Sequence, residues 1–291
     1  MTRSDTIVAV DVGNSAIKIA IAKTSDIEPG KPLFMDDPRI VSRSFLLDEP
    51  ECEREICDWV KREAPNGPWS WWVATVNRAA SRPLRHAVSE SFFDSKLNQQ
   101  WRSVSHVDVP LRVEVDAPDR VGIDRLLSAY AASVRYGAPL VVADAGSAVT
   151  VDFVGVDGSG LPVFRGGAIF PGIRLQHAAL AAGTEALRQP NEQQSSVAVA
   201  TSAPRRIDKP ATNTEKAIRL GLIASVAGGI ERLATQYALA DPADPNDSQD
   251  GRIAEPRLVL SGGDGPLIAG YLLSSHDWIP NLVCSGLLDL A

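Results

Sequence analysis

Residues 7–13 read IVAVDVG and residues 140–146 read LVVADAG. Each is an apolar run ending in Asp-x-Gly, and each is followed by a second strand-like run, AIKIAI at 16–21 and AVTVDFV at 148–154. Asp144 follows Asp11 by 133 positions (144 − 11), nearly half of the 291 residues. Solenoid repeats recur every ~20–50 residues, so an interval this long indicates two related domains. A short continuous apolar run fits a strand covered on both faces. Asp-x-Gly then turns the chain back and leaves a carboxylate at the mouth of the hairpin, where glycine lets backbone approach a ligand closely. Two such hairpins facing across a cleft suit a polyphosphate and its metal.

Outward from this repeat, strand composition recurs at 7–12, 16–22, 69–76, 140–143, 149–155 and 257–260. Helical spacing or composition marks 51–63, 78–93, 122–136, 173–188 and 214–239. The class is therefore α/β, and we place the two domains at 1–115 and 116–291. The polar, Pro-interrupted stretches 189–211 and 241–255 read as surface loops. Trp69, Trp71 and Trp72 lie in one short strand and are expected to serve packing, not stacking on a ligand.

Lys and Arg number 29 against 36 Asp and Glu, a net charge of −7, so no overall basic field draws nucleic acid or anionic lipid as main partner. With 44% apolar and 22% charged residues, the composition is that of a folded chain. No run approaches the ~18 apolar residues of a membrane span, and the first apolar run is flanked by Asp5 and Asp11, so a cytoplasmic location is expected. The three cysteines form no CxxC pair, which points to buried thiols and away from a disulfide or zinc framework.

In the first hairpin, Asp11, Gly13, Asn14 and Ser15 offer a carboxylate, backbone N–H groups and small polar side chains, the set a metal-bound phosphate tail requires. Asp11 would hold Mg²⁺ through water. Lys18, on the strand leaving the turn, is a candidate phosphate contact. The second hairpin repeats the pattern with Asp144, Gly146, Ser147 and Thr150. A third motif, Gly122-Ile123-Asp124-Arg125, opens a helix-forming run, so Asp124 falls in the first turn. The helix dipole favours its ionised form, which makes it an orienter and late proton acceptor for an alcohol. Phosphoryl transfer asks for little more, because its loose transition state is helped chiefly by alignment and charge neutralisation. Arg125 can hold a carboxylate in a bidentate fork. Glycine pairs in the segments 166–172 and 261–265 would let backbone lie flat against a ligand or make tight turns. Thr212-Asn213-Thr214-Glu215 has the form of a capping box for the helix that follows, which is expected to be deeply buried or to sit at a subunit interface. The chain contains no GxxxxGK[ST], HExxH or GxSxG.

Together DVGNSAIK at 11–18, GIDR at 122–125, DAGSAVTVD at 144–152, GGAIFPG at 166–172, TNTEKAIRLG at 212–221 and the terminal SGG and CSGLL segments resemble the type III pantothenate kinases. The resemblance implies the fold of the acetate and sugar kinase, Hsp70 and actin superfamily: two actin-like, ribonuclease H-like domains with mixed sheets flanked by helices and a ligand cleft. It further implies ATP with Mg²⁺, a monovalent cation (K⁺ or NH₄⁺), a homodimer, and phosphorylation of pantothenate to 4′-phosphopantothenate, the first step of coenzyme A synthesis. By this resemblance Asp11 is the Mg-ATP aspartate, Asp124 the base, and Gly122 and Arg125 are pantothenate contacts. Asp144 is the monovalent-cation ligand, Ser147 and Thr150 line the phosphate loop, and Thr214 reaches pantothenate in the neighbouring subunit. The chain departs from the family pattern at 113–118, where a tyrosine commonly precedes the proline. Two alternatives on the same scaffold are a non-catalytic regulator like the family's accessory-factor relatives and a kinase for a sugar or other small alcohol.

Overall fold

The computed structural model describes residues 6–28, 31, 33–92, 100–184, 207, 209–240 and 256–291. Of the two stretches expected to be surface loops, only 207 and 209–211 are among them; the remainder lies outside the described residues.

The first apolar run forms β1 (Thr6–Val12), and all seven of its residues are buried. It pairs antiparallel with β2 (Ala16–Lys23), which pairs antiparallel with β3 (Val41–Leu46). On its other edge β1 runs parallel to β4 (Trp69–Thr75), and β4 runs parallel to β5 (Gln100–Ser103). The sheet order is β3-β2-β1-β4-β5. Val8, Val10 and Val12 alternate onto one face, where they join Ile56, Val60, Leu84 and Val88 from α1 (Cys52–Glu63) and α2 (Arg78–Phe92). Each large apolar side chain buried there contributes about 1.5–3 kcal/mol. The three tryptophans of β4 are core residues, as expected. Trp69 and Trp71 meet the Phe92 ring edge-on, Trp71 stacks on Trp101, and Trp72 is capped by the Arg102 guanidinium 4.2 Å from its ring.

The short strand β6 (Arg112–Val113) pairs with Val163 and Phe164. After α3 (Ile123–Tyr136) the second apolar run forms β7 (Leu140–Ala145) and returns as β8 (Ala148–Val156). With β9 (Pro162–Pro171), β10 (Arg257–Ser261) and β11 (His276–Trp278) the order is β9-β8-β7-β10-β11. The pair β7–β8 is antiparallel, and β7–β10 and β10–β11 are parallel. Position for position this repeats the order and directions of β2-β1-β4-β5, with β9 in the place of β3. The 133-residue repeat read from the sequence is thus a duplicated five-strand topology, the actin-like arrangement expected. The helices of this half are α4 (Ile173–Gly183), α5 (Thr214–Ala240) and the short α6 (Gly265–Ala269). The chain closes with α7 (Leu282–Asp289).

By contacts the chain divides into one compact unit of residues 1–137, 162–164 and 279–291 and a second of 138–161 and 165–278. This differs from a division at 115/116 in three respects, the first being that residues 162–164, which pair with β6, fall in the first unit. α3 stays with the first sheet, and α7, although C-terminal, returns to it. The reason is burial: seven of the eight α7 residues, Leu282 to Leu288, are inaccessible to solvent, and their partners are α3, β1, β2 and β4. Among the described residues no helix is long and apolar enough to cross a membrane.

Candidate active site

The β1–β2 register sets Asp11 opposite Lys18. Lys18 Nζ donates to Asp11 Oδ2 at 3.2 Å. Asp11 is only 4% exposed, so an ionised carboxyl here has lost most of its water and is matched by one cation instead. Lys18 is therefore built into the hairpin. Gly13 N–H donates to Ala16 O at 3.1 Å and closes the turn, which presents exposed Asn14 and half-buried Ser15 at its tip.

In the same unit α3 begins where the GIDR motif predicts, with Gly122 as its N-cap and Asp124 in the first turn. The carboxylate folds back on its own helix terminus: Asp124 Oδ1 accepts the Arg125 backbone N–H at 2.9 Å. A Cβ on Gly122 would overlap that oxygen, so glycine here makes room for the carboxylate. The Arg125 guanidinium carbon lies 5.6 Å from the centre of the Phe164 ring, within cation–π range, and both Asp124 and Arg125 are half-buried.

The second unit places Asp144, Gly146, Ser147 and Thr150 on the β7–β8 hairpin, with Asp144 and Thr150 as register partners. Gly146 N–H donates to Ala148 O at 3.1 Å, as Gly13 does to Ala16 in the first hairpin. Of the two glycine-rich segments, 261–265 makes the tight turn that was one expectation, with Gly265 N–H donating to Gly262 O at 3.1 Å, whereas 166–172 does neither of the things expected. Gly166 and Gly167 lie inside β9 and do not form a loop, and a Cβ on Gly167 would overlap Val151 O of β8. Gly172 donates to Ser147 O at 3.0 Å and leaves no space for a side chain beside Gly146 O. Gly262 has a φ of +92° and lies hard against Ala145, while Asp264 N–H donates to Ala145 O at 2.8 Å. These glycines let protein backbone pack against the Asp144 hairpin from two sides.

That packing brings in two residues the sequence reading passed over. Ser261 is the parallel register partner of Asp144, and its Oγ is buried without a hydrogen-bond partner. Burial raises the Asp264 carboxyl above the ordinary carboxylate range, with Arg174 opposing the shift and Asp144 adding to it. The signal was present as a Ser and an Asp in SGGD after an apolar strand; attention to the glycines hid it. A buried orphan hydroxyl beside a carboxylate is an oxygen donor set suited to a hard cation.

Thr214 is the first residue of α5 and is exposed. The expected Thr212–Glu215 capping box gives way to a cap one residue later: Asn213 Oδ1 accepts Lys216 N–H at 2.8 Å. With the helix starting at Thr214, Asn213 is the residue just outside it, and its short amide reaches the third N–H. α5 itself is divided. Ile223, Val226 and Ile230 are buried in the core of the unit, whereas Thr214, Ala217, Ile218, Gly221 and Leu222 line an open groove of about 670 Å³ with Leu180.

A duplicated five-strand topology, with a carboxylate hairpin in each copy and an aspartate held at a helix N-terminus, fits a phosphotransferase of the kinase class. The chain belongs to the type III pantothenate kinase family, whose sequence model matches residues 7–236. A type III pantothenate kinase of Rhodopirellula baltica is 38% identical over 297 aligned residues, 97% of each chain. One from Herminiimonas arsenicoxydans is 36% identical over 263, covering 80% of this chain and 92% of its own. Among solved structures, a Baf-family protein from Campylobacter jejuni shares the fold with a TM-score of 0.54 at 17% identity, over 97% of this chain and 96% of that one.

Proposed function

We propose that this chain transfers the γ-phosphoryl group of ATP to the primary hydroxyl of pantothenate, giving 4′-phosphopantothenate for coenzyme A synthesis in the cytoplasm. The observation that carries the reading is Asp124, fixed by the Arg125 N–H and the open side of Gly122 at the first turn of α3. Ionised there, it orients the attacking hydroxyl and takes its proton late in the transfer. Arg125 beside it binds the pantothenate carboxylate through its guanidinium fork.

Asp11 offers a largely buried carboxylate oxygen that would hold a magnesium ion through water once Lys18 gives up its ion pair. Bound Mg²⁺ supplies charge neutralisation on the phosphate oxygens. Lys18 is within reach to exchange its carboxylate partner for a phosphate. Asn14 and Ser15 in the first unit, and Ser147 and Thr150 in the second, offer N–H groups and hydroxyls to phosphate oxygens, while Gly13 and Gly146 close the turns that present them. Asp144, with the orphan hydroxyl of Ser261 next to it, fits a monovalent cation such as K⁺ or NH₄⁺.

The enzyme is proposed to act as a homodimer, with Thr214 serving the active site of the neighbouring subunit. In support, Ile169 at 60% and Leu175 at 51% exposure, with the Leu180–Ile218–Leu222 groove, leave apolar surface uncovered around α4 and α5. The test is ADP release by the purified chain with ATP and Mg²⁺. Release should require both pantothenate and K⁺ or NH₄⁺, and Asp124→Asn should abolish it with the fold intact by circular dichroism. No pantothenate-dependent release under any monovalent cation overturns the reading.

A further inference from the structure

The family model stops at residue 236, so α7 lies beyond it. Yet α7 is the element on which α3 packs most extensively. The approach is close: a Cβ on Gly286 would sit 2.8 Å from Leu127 O, nearer than a real side chain tolerates. Leu127 lies in a stretch of α3, Leu126 to Ser133, that is buried throughout and includes the small residues Ser128, Ala131 and Ala132. On another side α7 rests on the hairpin that carries Asp11, with Cys284 Sγ 3.6 Å from Lys18 O and 4.0 Å from Ala9 O. One eight-residue helix thus touches both the helix that bears Asp124 and the strands that bear Asp11 and Lys18.

A side-chain hydrogen bond also joins the two helices. The Tyr130 hydroxyl on α3 donates to Asp289 Oδ2 at the last turn of α7, across 159 positions of sequence. Asp289 Oδ1 is buried and has no hydrogen-bond partner. As a packing device this is a poor choice, since a buried carboxylate with one oxygen unserved costs more than an apolar residue of similar size. A directional acceptor is what the position gains. Burial, and then the Asp289 carboxylate, raise the Tyr130 phenol well above its ordinary pKa, so it remains the donor. Tyr130 is six residues from Asp124, about 9 Å along the helix axis, and no glycine or proline interrupts the helix between them. A displacement at Tyr130 is therefore passed to the carboxylate.

We infer that α7 sets the position of Asp124 relative to the Asp11 hairpin, with Tyr130 and Asp289 as positioning residues that latch α3 to α7. The inference rests on the reading of Asp124 as the proton acceptor. Misplacement of a reacting group by ~1 Å costs on the order of a hundredfold in rate, so loss of the latch acts on turnover first.

The experiment compares wild type, Tyr130→Phe and Tyr130→Phe/Asp289→Leu by ADP release and thermal melting. Tyr130→Phe should lower kcat about tenfold, with KM for ATP and pantothenate within about twofold, and should lower Tm. Removing the stranded carboxylate in the double variant should recover Tm but not kcat. Recovery of kcat together with Tm, or an unchanged kcat in Tyr130→Phe, overturns the inference. If Tyr130→Phe does not fold, Asp289→Asn, which keeps an acceptor, is compared with Asp289→Ala. A tenfold lower kcat in Asp289→Ala at equal KM supports the latch, and equal kcat overturns it. A wild-type protein without pantothenate-dependent turnover fails the functional reading separately. Hydrogen exchange over residues 123–127 then decides the latch: faster in Tyr130→Phe supports it, unchanged overturns it.

Discussion

The hairpins β1–β2 and β7–β8 have the same strand partners in the same order, and each closes on a glycine N–H 3.1 Å from an alanine carbonyl. The side chains around their aspartates differ. Asp11 is buried and matched by Lys18 within its own hairpin. Asp144 is half-buried, and the neighbours brought to it are an unpartnered serine hydroxyl and a second carboxyl, Asp264, whose ionisation is disfavoured. A duplicated backbone has been given one carboxylate matched by a lysine of its own hairpin and one set beside a serine hydroxyl and a second carboxyl, on which Arg174 also acts. On the proposed function, the first would hold a divalent ion through water in exchange with the lysine, and the second would ligate a monovalent cation through its oxygens.

The largest effects should separate the two aspartates. Asp11→Asn is expected to lower kcat on the order of 10³-fold, as removal of a charge-stabilising group at a phosphoryl-transfer site does. Asp144→Asn should instead raise the half-saturating K⁺ concentration about tenfold, a loss of about 1.4 kcal/mol of cation binding, while the Mg²⁺ dependence stays near wild type. Steady-state titration of each cation measures both, and exchange of the two phenotypes would break the comparison.

Lys18→Met sharpens it on the side of stability. Loss of the lysine strands a buried carboxylate, and because Lys18 is 22% exposed the expected cost is about 2 kcal/mol, below the range for fully buried pairs. Denaturant unfolding in the absence of nucleotide measures it, and Lys18→Met/Asp11→Asn should recover most of the loss.

Glycine substitutions probe the backbone packing. Gly262→Ala combines a positive φ with overlap on Ala145 and should cost about 1–3 kcal/mol. Gly13→Ala meets only Ala16 O at 3.1 Å and should cost less. Melting temperatures of the two variants compare them directly.

The smallest effect concerns Asp264. Its folded pKa is raised, so the folded state holds the proton more tightly than the unfolded chain does. The stability this contributes is present below the unfolded value and is lost as pH rises through the folded value. In buffer without Mg²⁺ or K⁺, the Tm of Asp264→Asn relative to wild type should therefore climb from pH 4 upward by a few degrees and level off above the raised pKa. A flat difference would mean that Asp264 is not held back from ionising.

Much of the fold was legible because it is written in local patterns. The apolar runs ending in Asp-x-Gly gave both central strands, and Gly122 followed by helix formers placed α3 to within one residue. Asp11, Asp124 and Asp144 could be singled out for the same reason: each sits at a turn or a helix start that its neighbours announce. Elements decided by distant partners were harder to see. Exposed β3 and four-residue β5 carry little periodicity of their own and exist as edges of a sheet. The glycines of 166–172 looked like a ligand loop because a sequence does not say whether the backbone that approaches them closely belongs to a ligand or to β8 and the Asp144 hairpin.

By itself, then, the sequence determined the duplicated strand-hairpin unit and the α/β class, and it placed the three candidate aspartates at turns or a helix start, since short-range hydrophobic patterning and turn chemistry suffice for these. Only the tertiary structure decided that Lys18 neutralises Asp11, that Ser261 and Asp264 join Asp144, and that a C-terminal helix returns to hold α3 through Tyr130 and Asp289. Those pairings link residues that strand register and helix packing bring together, and 159 positions of chain leave no local signature of such a contact.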